Sequence, residues 1–158
     1  MTKKMIKENL SYQFKDKIII ITGSTQGSGA ETAKLLASRG AKGITICGRN
    51  EKNGKKVKEE IESLGTECIY VKADLENLKD CKKIISQTDK KFGTINTLIN
   101  SAAYTGRGTI LSTSQKEYEK MFNINTRAPF FLMQDTVKIM IRDKVKGTIA
   151  HVLSVAAY

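Results

Sequence analysis

The chain has 158 residues, 40% of them hydrophobic and 27% charged, and a formal net charge of +11. That length fits one domain able to bury roughly 70% of its unfolded surface, and its longest apolar runs, 18–21 and 130–133, are far too short to span a bilayer. Three cysteines (Cys47, Cys68, Cys81) without metal-like spacing and a single histidine, His151, argue against a metal site; the thiols read as reduced core residues of a cytoplasmic protein.

The positive charge has two readings, attraction for phosphate-bearing ligands or nucleic acid, or a solvated lysine surface. The 22 lysines are interleaved with glutamates, as in KKVKEEIE, and the 5 arginines do not cluster. This favours the solvated surface and no nucleic-acid partner.

Residues 1–14 read as a short lead-in, and 15–158 as the domain. Residues 1–15 are basic but lack the apolar centre of a secretory signal, and Glu8 with no arginine argues against a mitochondrial presequence. The run IIII at 18–21, inside a strand over 17–22, has no polar alternation and suits a strand buried on both faces of a parallel sheet. Gly23, Gly27 and Gly29 then follow in a G-x3-G-x-G spacing, distinct from the commoner G-x-G-x-x-G. Glycines there permit a sharp turn and a close approach to main-chain N–H groups. With the N-terminus of a helix over 28–39, they form a phosphate site; a purely structural turn is the alternative.

GITIC at 43–47 is a second strand. Asn50 can cap the next helix, where Val57, Ile61 and Leu64 share a face and Gly65 stops the run. Strand three spans 68–71. A helix over 77–92 carries Leu78, Cys81, Ile85 and Phe92 on a stripe. Strand four spans 97–100 and leads into a polar loop over 101–112. One long helix runs from Ser114 to about Asp143, with Pro129 inside it to bend it or mark an irregular turn. Strand five is 147–153.

This alternation predicts an α/β fold, a doubly wound parallel sheet with right-handed crossovers; a Rossmann-like sheet has the strand order 3-2-1-4-5. Ligands of such sheets lie at the carboxyl ends of the strands, beside strand one. Residues 22–29, 48–50, Asp74, 100–103 and Ser154 all fall on that edge. In NAD sites an acid about 20 residues past the glycines binds the ribose; here that slot, 19 residues after Gly29, holds Gly48, and Arg49 follows. An arginine can pair with a 2′-phosphate where an acid would repel it. NADP is therefore expected over NAD, with Asn50 a second contact; a solvent-facing loop arginine is the alternative. Asp74 reads either as an acceptor for adenine, with Leu75 packed nearby, or as a helix cap. His151 reads as a hydrogen-bonded structural residue rather than a base.

Taken in order, these residues resemble the classical short-chain dehydrogenase/reductase family from about Phe14 onward. TGSTQGSG at 22–29 is similar to its cofactor turn TGxxxGxG, KADL carries its adenine-contacting Asp at Asp74, NSAA at 100–103 is similar to NNAG with Ala103 in place of glycine, Asn125 in NINTRAPF matches the relay Asn of the long helix, and Ser154 in HVLS matches the catalytic Ser. The resemblance implies an NADP(H)-dependent oxidoreductase acting on an alcohol/ketone substrate. Gly23, Gly27 and Gly29 would then allow the tight turn, the approach of the pyrophosphate and close helix–strand packing, respectively, with Thr25 and Gln26 as donors or plain turn residues, and Asn100 and Ala102 would border the ribose. Asn125 would hold a water in a proton path, or be a plain hydrogen-bonded amide. Ser154 would polarise the substrate carbonyl, or be a strand-end turn residue. Gln26 stands where a base would be a further NADP signal.

The family's Tyr-x-x-x-Lys pair is not present; Tyr158 follows Ser154 too closely to take the Tyr role. The expectation is the N-terminal part of a longer enzyme, inactive on its own, whose parent pairs as a homo-oligomer through the long helix. A non-catalytic NAD(P)-binding module is the alternative. Truncation would leave strand five an exposed edge over TIAHVLSVAA and make the fragment prone to associate.

Overall fold

A computed structural model describes residues 12–154. Most of the expected lead-in, the end of the expected exposed edge and Tyr158 lie outside the described residues. Five parallel strands form one sheet, β1 (Ile18–Ile21), β2 (Gly43–Gly48), β3 (Glu67–Lys72), β4 (Thr97–Asn100) and β5 (Thr148–His151), in the order β3-β2-β1-β4-β5. The helices are α1 (Gly27–Ser38), α2 (Glu51–Ser63), α3 (Leu78–Phe92), α4 (Gln115–Phe122) and α5 (Ala128–Arg142). The doubly wound order expected from the sequence is the one observed.

The isoleucine run explains the centre. All four residues of β1 are 0–1% exposed, and their side chains alternate between faces because a strand repeats every two residues. Ile20 packs with Leu98, Ile84 and Leu132, toward α3 and α5. Ile19 and Ile21 pack with Ile44, Ile46, Ala33, Leu36 and Ile61, toward α1 and α2. Each fully buried aliphatic side chain contributes about 1.5–3 kcal/mol, so β1 is the joint between two cores. The thiols belong to them: Cys47, Cys68 and Cys81 are free and buried, and burial pushes Cys47 and Cys68 up to about 12 and Cys81 to about 11.

The helix caps follow composition. Asn50 Oδ1 accepts from the Asn53 N–H at 3.0 Å, as expected. Two expectations need correction. Leu64 does not share the buried face of Val57 and Ile61; it sits at the end of α2 and is 47% exposed. The long helix is not continuous: α4 and α5 are joined by a π-helical turn, Asn123–Arg127, and Pro129 sits in the first turn of α5. The irregular turn thus precedes the proline. Pro129 has no N–H to close onto the carbonyl of Asn125 four residues back, and its ring crowds that carbonyl, so the chain widens there.

Candidate active site

The crossover from β1 to α1 is stitched to both neighbouring strands. Thr22, 1% exposed, ends β1, and its Oγ1 accepts from the main-chain N–H groups of Ser101 and Ala102, both at 3.1 Å. Ser24 faces the other way. Its hydroxyl donates to the Ile21 carbonyl at 2.5 Å and accepts from the Cys47 N–H at 3.0 Å. Gly23 has φ +64°, and a Cβ on it would lie 2.7 Å from Ala102 Cα. A Cβ on Gly29 would lie 2.6 Å from the Gly23 carbonyl oxygen, so α1 starts directly against the turn. Gly27, with φ +57°, differs: a Cβ there would have no protein atom within 4 Å. Two of the three glycines therefore serve close packing, and the third faces open space.

That space is a cleft of about 720 Å³ at the carboxyl edge of the sheet. Gly23, Thr25, Gln26 and Gly27 form its floor, Arg49, Asn50, Asp74 and Leu75 one wall, and Ala102, Ala103, Tyr104 and Ile124 the other. Gln26, the N-cap residue of α1, makes no side-chain cap hydrogen bond, and the first turn has no acidic residue. By contrast α2, α3 and α4 each have a capping side chain and an acid in the first turn. The leading N–H groups of a helix have no intrahelical partner, so α1 offers donors and positive dipole to the cleft with nothing of its own to answer them. This donor set fits a phosphate-bearing cofactor such as NAD(P).

Beyond β3 the chain is held tightly. The Asp74 N–H donates to Asp80 Oδ2 at 2.8 Å, and Asp74 Oδ1 accepts from the Glu76 N–H at 3.1 Å. Asp74 is not the helix cap; Asn77 is, its Oδ1 accepting from the Lys79 N–H at 2.9 Å. Arg127 of the π turn donates from Nη2 to the Glu76 carbonyl at 2.7 Å.

Four of the expected site residues lie outside the cleft lining. Gly29 is buried beneath the turn. Asn100 is 3% exposed, its Nδ2 lies 3.2 Å from His151 Nε2, and its Oδ1 has no partner among the described residues. His151 also meets Met133 Sδ at 3.4 Å. Asn125 is exposed, and its amide is committed: Oδ1 accepts from the Tyr104 N–H and Nδ2 donates to the Tyr104 carbonyl, both at 2.8 Å. Ser154 is exposed, three residues past the end of β5. Sequence reasoning gave no role to Thr22, Ser24, Tyr70 or Arg127. A hydroxyl directly before and after the first glycine was the available signal for the first two; the others act through main-chain carbonyls distant in sequence, which no local pattern marks.

Among the described residues no helix is long and apolar enough to cross a membrane. The family model described as short chain dehydrogenase matches residues 17–158. An uncharacterized oxidoreductase of Thermotoga maritima is 34% identical over 143 residues, covering 90% of this chain and 55% of that protein. Among solved structures, an NADH-dependent reductase complexed with NAD aligns with TM-score 0.84 at 23% identity, over 93% of this chain and 63% of its own. A metagenomic short-chain oxidoreductase in complex with NADP aligns with TM-score 0.84 at 24% identity, over 90% of this chain and 64% of its own. The chain spans about half the length of the curated relatives it matches. A parallel sheet in this strand order, a glycine turn open to a phosphate and a family match over nearly all of the chain lead to one assignment: the chain belongs to the short-chain dehydrogenase family.

Proposed function

We propose that residues 15–158 form the nucleotide-binding part of an oxidoreductase that interconverts an alcohol and a ketone, and that the cleft takes NADP(H). The observation that carries this is the uncapped N-terminus of α1 with Gly27 open beside it. Thr25, Gln26 and Gly27 would meet the diphosphate, with Gly23 and Gly29 shaping the turn that presents them. Arg49 and Asn50 would meet the 2′-phosphate: Arg49 is exposed at the cleft wall and makes no ion pair among the described residues. Asp74 and Leu75 would bound the adenine, and Ala102 the ribose, with Asn100 buried behind it. The nicotinamide, when bound, supplies the hydride chemistry.

Asn125 and Ser154 remain the proposed catalytic residues. Tyr104 occupies the Asn125 side chain, which leaves its main-chain carbonyl, without an α-helical donor ahead of Pro129, to hold a water. Ser154 would polarise the substrate oxygen. The 158 residues contain no Tyr-x-x-x-Lys, so we expect them to bind the nucleotide without turning over a ketone. The buried free thiols favour a cytoplasmic setting, and the exposed Phe130, Val137 and Ile141 on α5 favour pairing of the whole enzyme through that helix.

Fluorescence titration with NADPH is the test. Saturable binding abolished by blocking the Gly27 surface supports the proposal, and absence of binding overturns it. Steady ketone-dependent NADPH oxidation by this chain would overturn the expectation of inactivity.

A further inference from the structure

The wall that carries Arg49 is held more firmly than its neighbours in sequence require. Gly48, the last residue of β2, is fixed from two directions. A Cβ on it would lie 2.7 Å from Thr25 Oγ1 and 2.8 Å from Thr25 Cγ2, so the floor of the cleft rests on its Cα. Its carbonyl accepts from the Tyr70 hydroxyl at 2.9 Å and from the Ala73 N–H at 3.2 Å. Tyr70 is in turn seated on α2: a Cβ on Gly54 would run into its ring. On the other side of Arg49, Asn50 is locked as the cap of α2. Arg49 is thus a single residue strung between two anchored ones, with its side chain exposed. The nearest acid in sequence, Glu51, is engaged by Lys55 at 2.8 Å and Lys72 at 3.6 Å.

We propose that Tyr70 is a specificity-positioning residue: its hydroxyl, bonded to the Gly48 carbonyl, orients the 48–49 peptide so that Arg49 meets the 2′-phosphate of NADP(H). Tyr70 does not line the cleft. It acts through the direction of one peptide, because an arginine makes its charge-assisted contact only where its planar fork is aimed. The inference rests on the reading of Arg49 given above.

The test is the ratio of NADPH to NADH affinity, measured by fluorescence titration on the full chain for wild type, R49A and Y70F. Y70F keeps the ring on Gly54 and leaves the Gly48 carbonyl with its Ala73 donor, so the ligand-free melting midpoint is expected to stay close to wild type. The expected result is a loss of NADPH affinity of about fivefold, the size of one ordinary hydrogen bond, with NADH affinity unchanged. A role limited to holding the fold would move the melting midpoint, or both nucleotides together, and leave the ratio alone. G54A is the second variant. It drives the ring aside with the hydroxyl still attached and is expected to lower the ratio in the same direction. If R49A lowers the ratio and neither Y70F nor G54A does, the role of Tyr70 is overturned. If R49A itself leaves the ratio unchanged, the reading of Arg49 fails and Tyr70 loses its function with it.

Discussion

β1 and β5 are parallel strands of one sheet, yet they meet opposite conditions. β1 has a paired strand on each side and a layer of helices on each face, and none of its four side chains is more than 1% exposed. Among the described residues β5 pairs with β4 alone, only Ile149 is half-buried among its four residues, and Val152 and Leu153 just beyond it are 56% and 85% exposed. Phe130 and Ile141 on α5 are likewise 55% and 72% exposed. Parallel pairing places a strand in both positions, but only apolar side chains covered on both faces turn that strand into stability.

The comparison predicts unequal costs for equal truncations. Ile20→Ala opens a cavity at the joint between the two cores and is expected to lower unfolding free energy by about 2–5 kcal/mol. Ile149→Ala on β5 is expected to cost under about 1 kcal/mol. Urea unfolding of the two variants measures both, and similar losses would break the contrast. An effect between those two is expected at Thr22. Thr22→Val keeps the shape but leaves the Ser101 and Ala102 N–H groups without their acceptor, so a loss of about 2 kcal/mol is expected in the same assay. An unchanged midpoint would mean that the two loops are held by other contacts.

The same contrast explains what could be read without the structure. The isoleucine run, the alternating elements and the glycine turn are local patterns, and each produced the element or turn it implied, down to the strand order. Asn50 as a cap was legible because capping needs only a side chain and an N–H three residues on. The π turn was half legible: Pro129 announced an irregularity but not its side, which depends on the carbonyl four residues earlier. Thr22 was not legible as a tie to β4, because its partners lie 79 and 80 residues away. Asp74 was ambiguous by nature. A carboxylate after a strand suits a cap or a ligand, and only the cap formed by Asn77 removed the first reading.

Gly27 separates stability from binding at one position. Alanine there meets no protein atom, so its cost in the ligand-free protein is the left-handed backbone alone, about 1–2 kcal/mol. A methyl group at the same point stands where a phosphate would approach the N–H groups of α1. Gly27→Ala is therefore expected to weaken NADPH by at least about tenfold while melting only slightly earlier. A variant that loses stability and keeps its affinity would place the diphosphate elsewhere.

The smallest expected effect joins the two sides of the comparison. Arg142, near the end of α5, holds the carboxylate of Asp89 on α3 through Nη1 at 2.8 Å and Nη2 at 2.7 Å, and Nη2 also reaches the Gly93 carbonyl at 3.1 Å. The Arg142 hydrogen bonds keep the Asp89 carboxyl below the usual aspartate range. A group whose folded value is depressed adds stability above its unfolded value and loses it as pH falls through the folded one. Wild type should therefore melt slightly above Asp89→Asn near neutral pH. The advantage should begin to shrink as pH falls through the ordinary aspartate value, about 3.9, and vanish once Asp89 is protonated in the folded protein. Added salt should narrow it as well, because the pair is partly exposed. A difference that persists unchanged into acid would mean that α5 is held to α3 by packing alone, and that the exposed side of the molecule owes nothing to this pair.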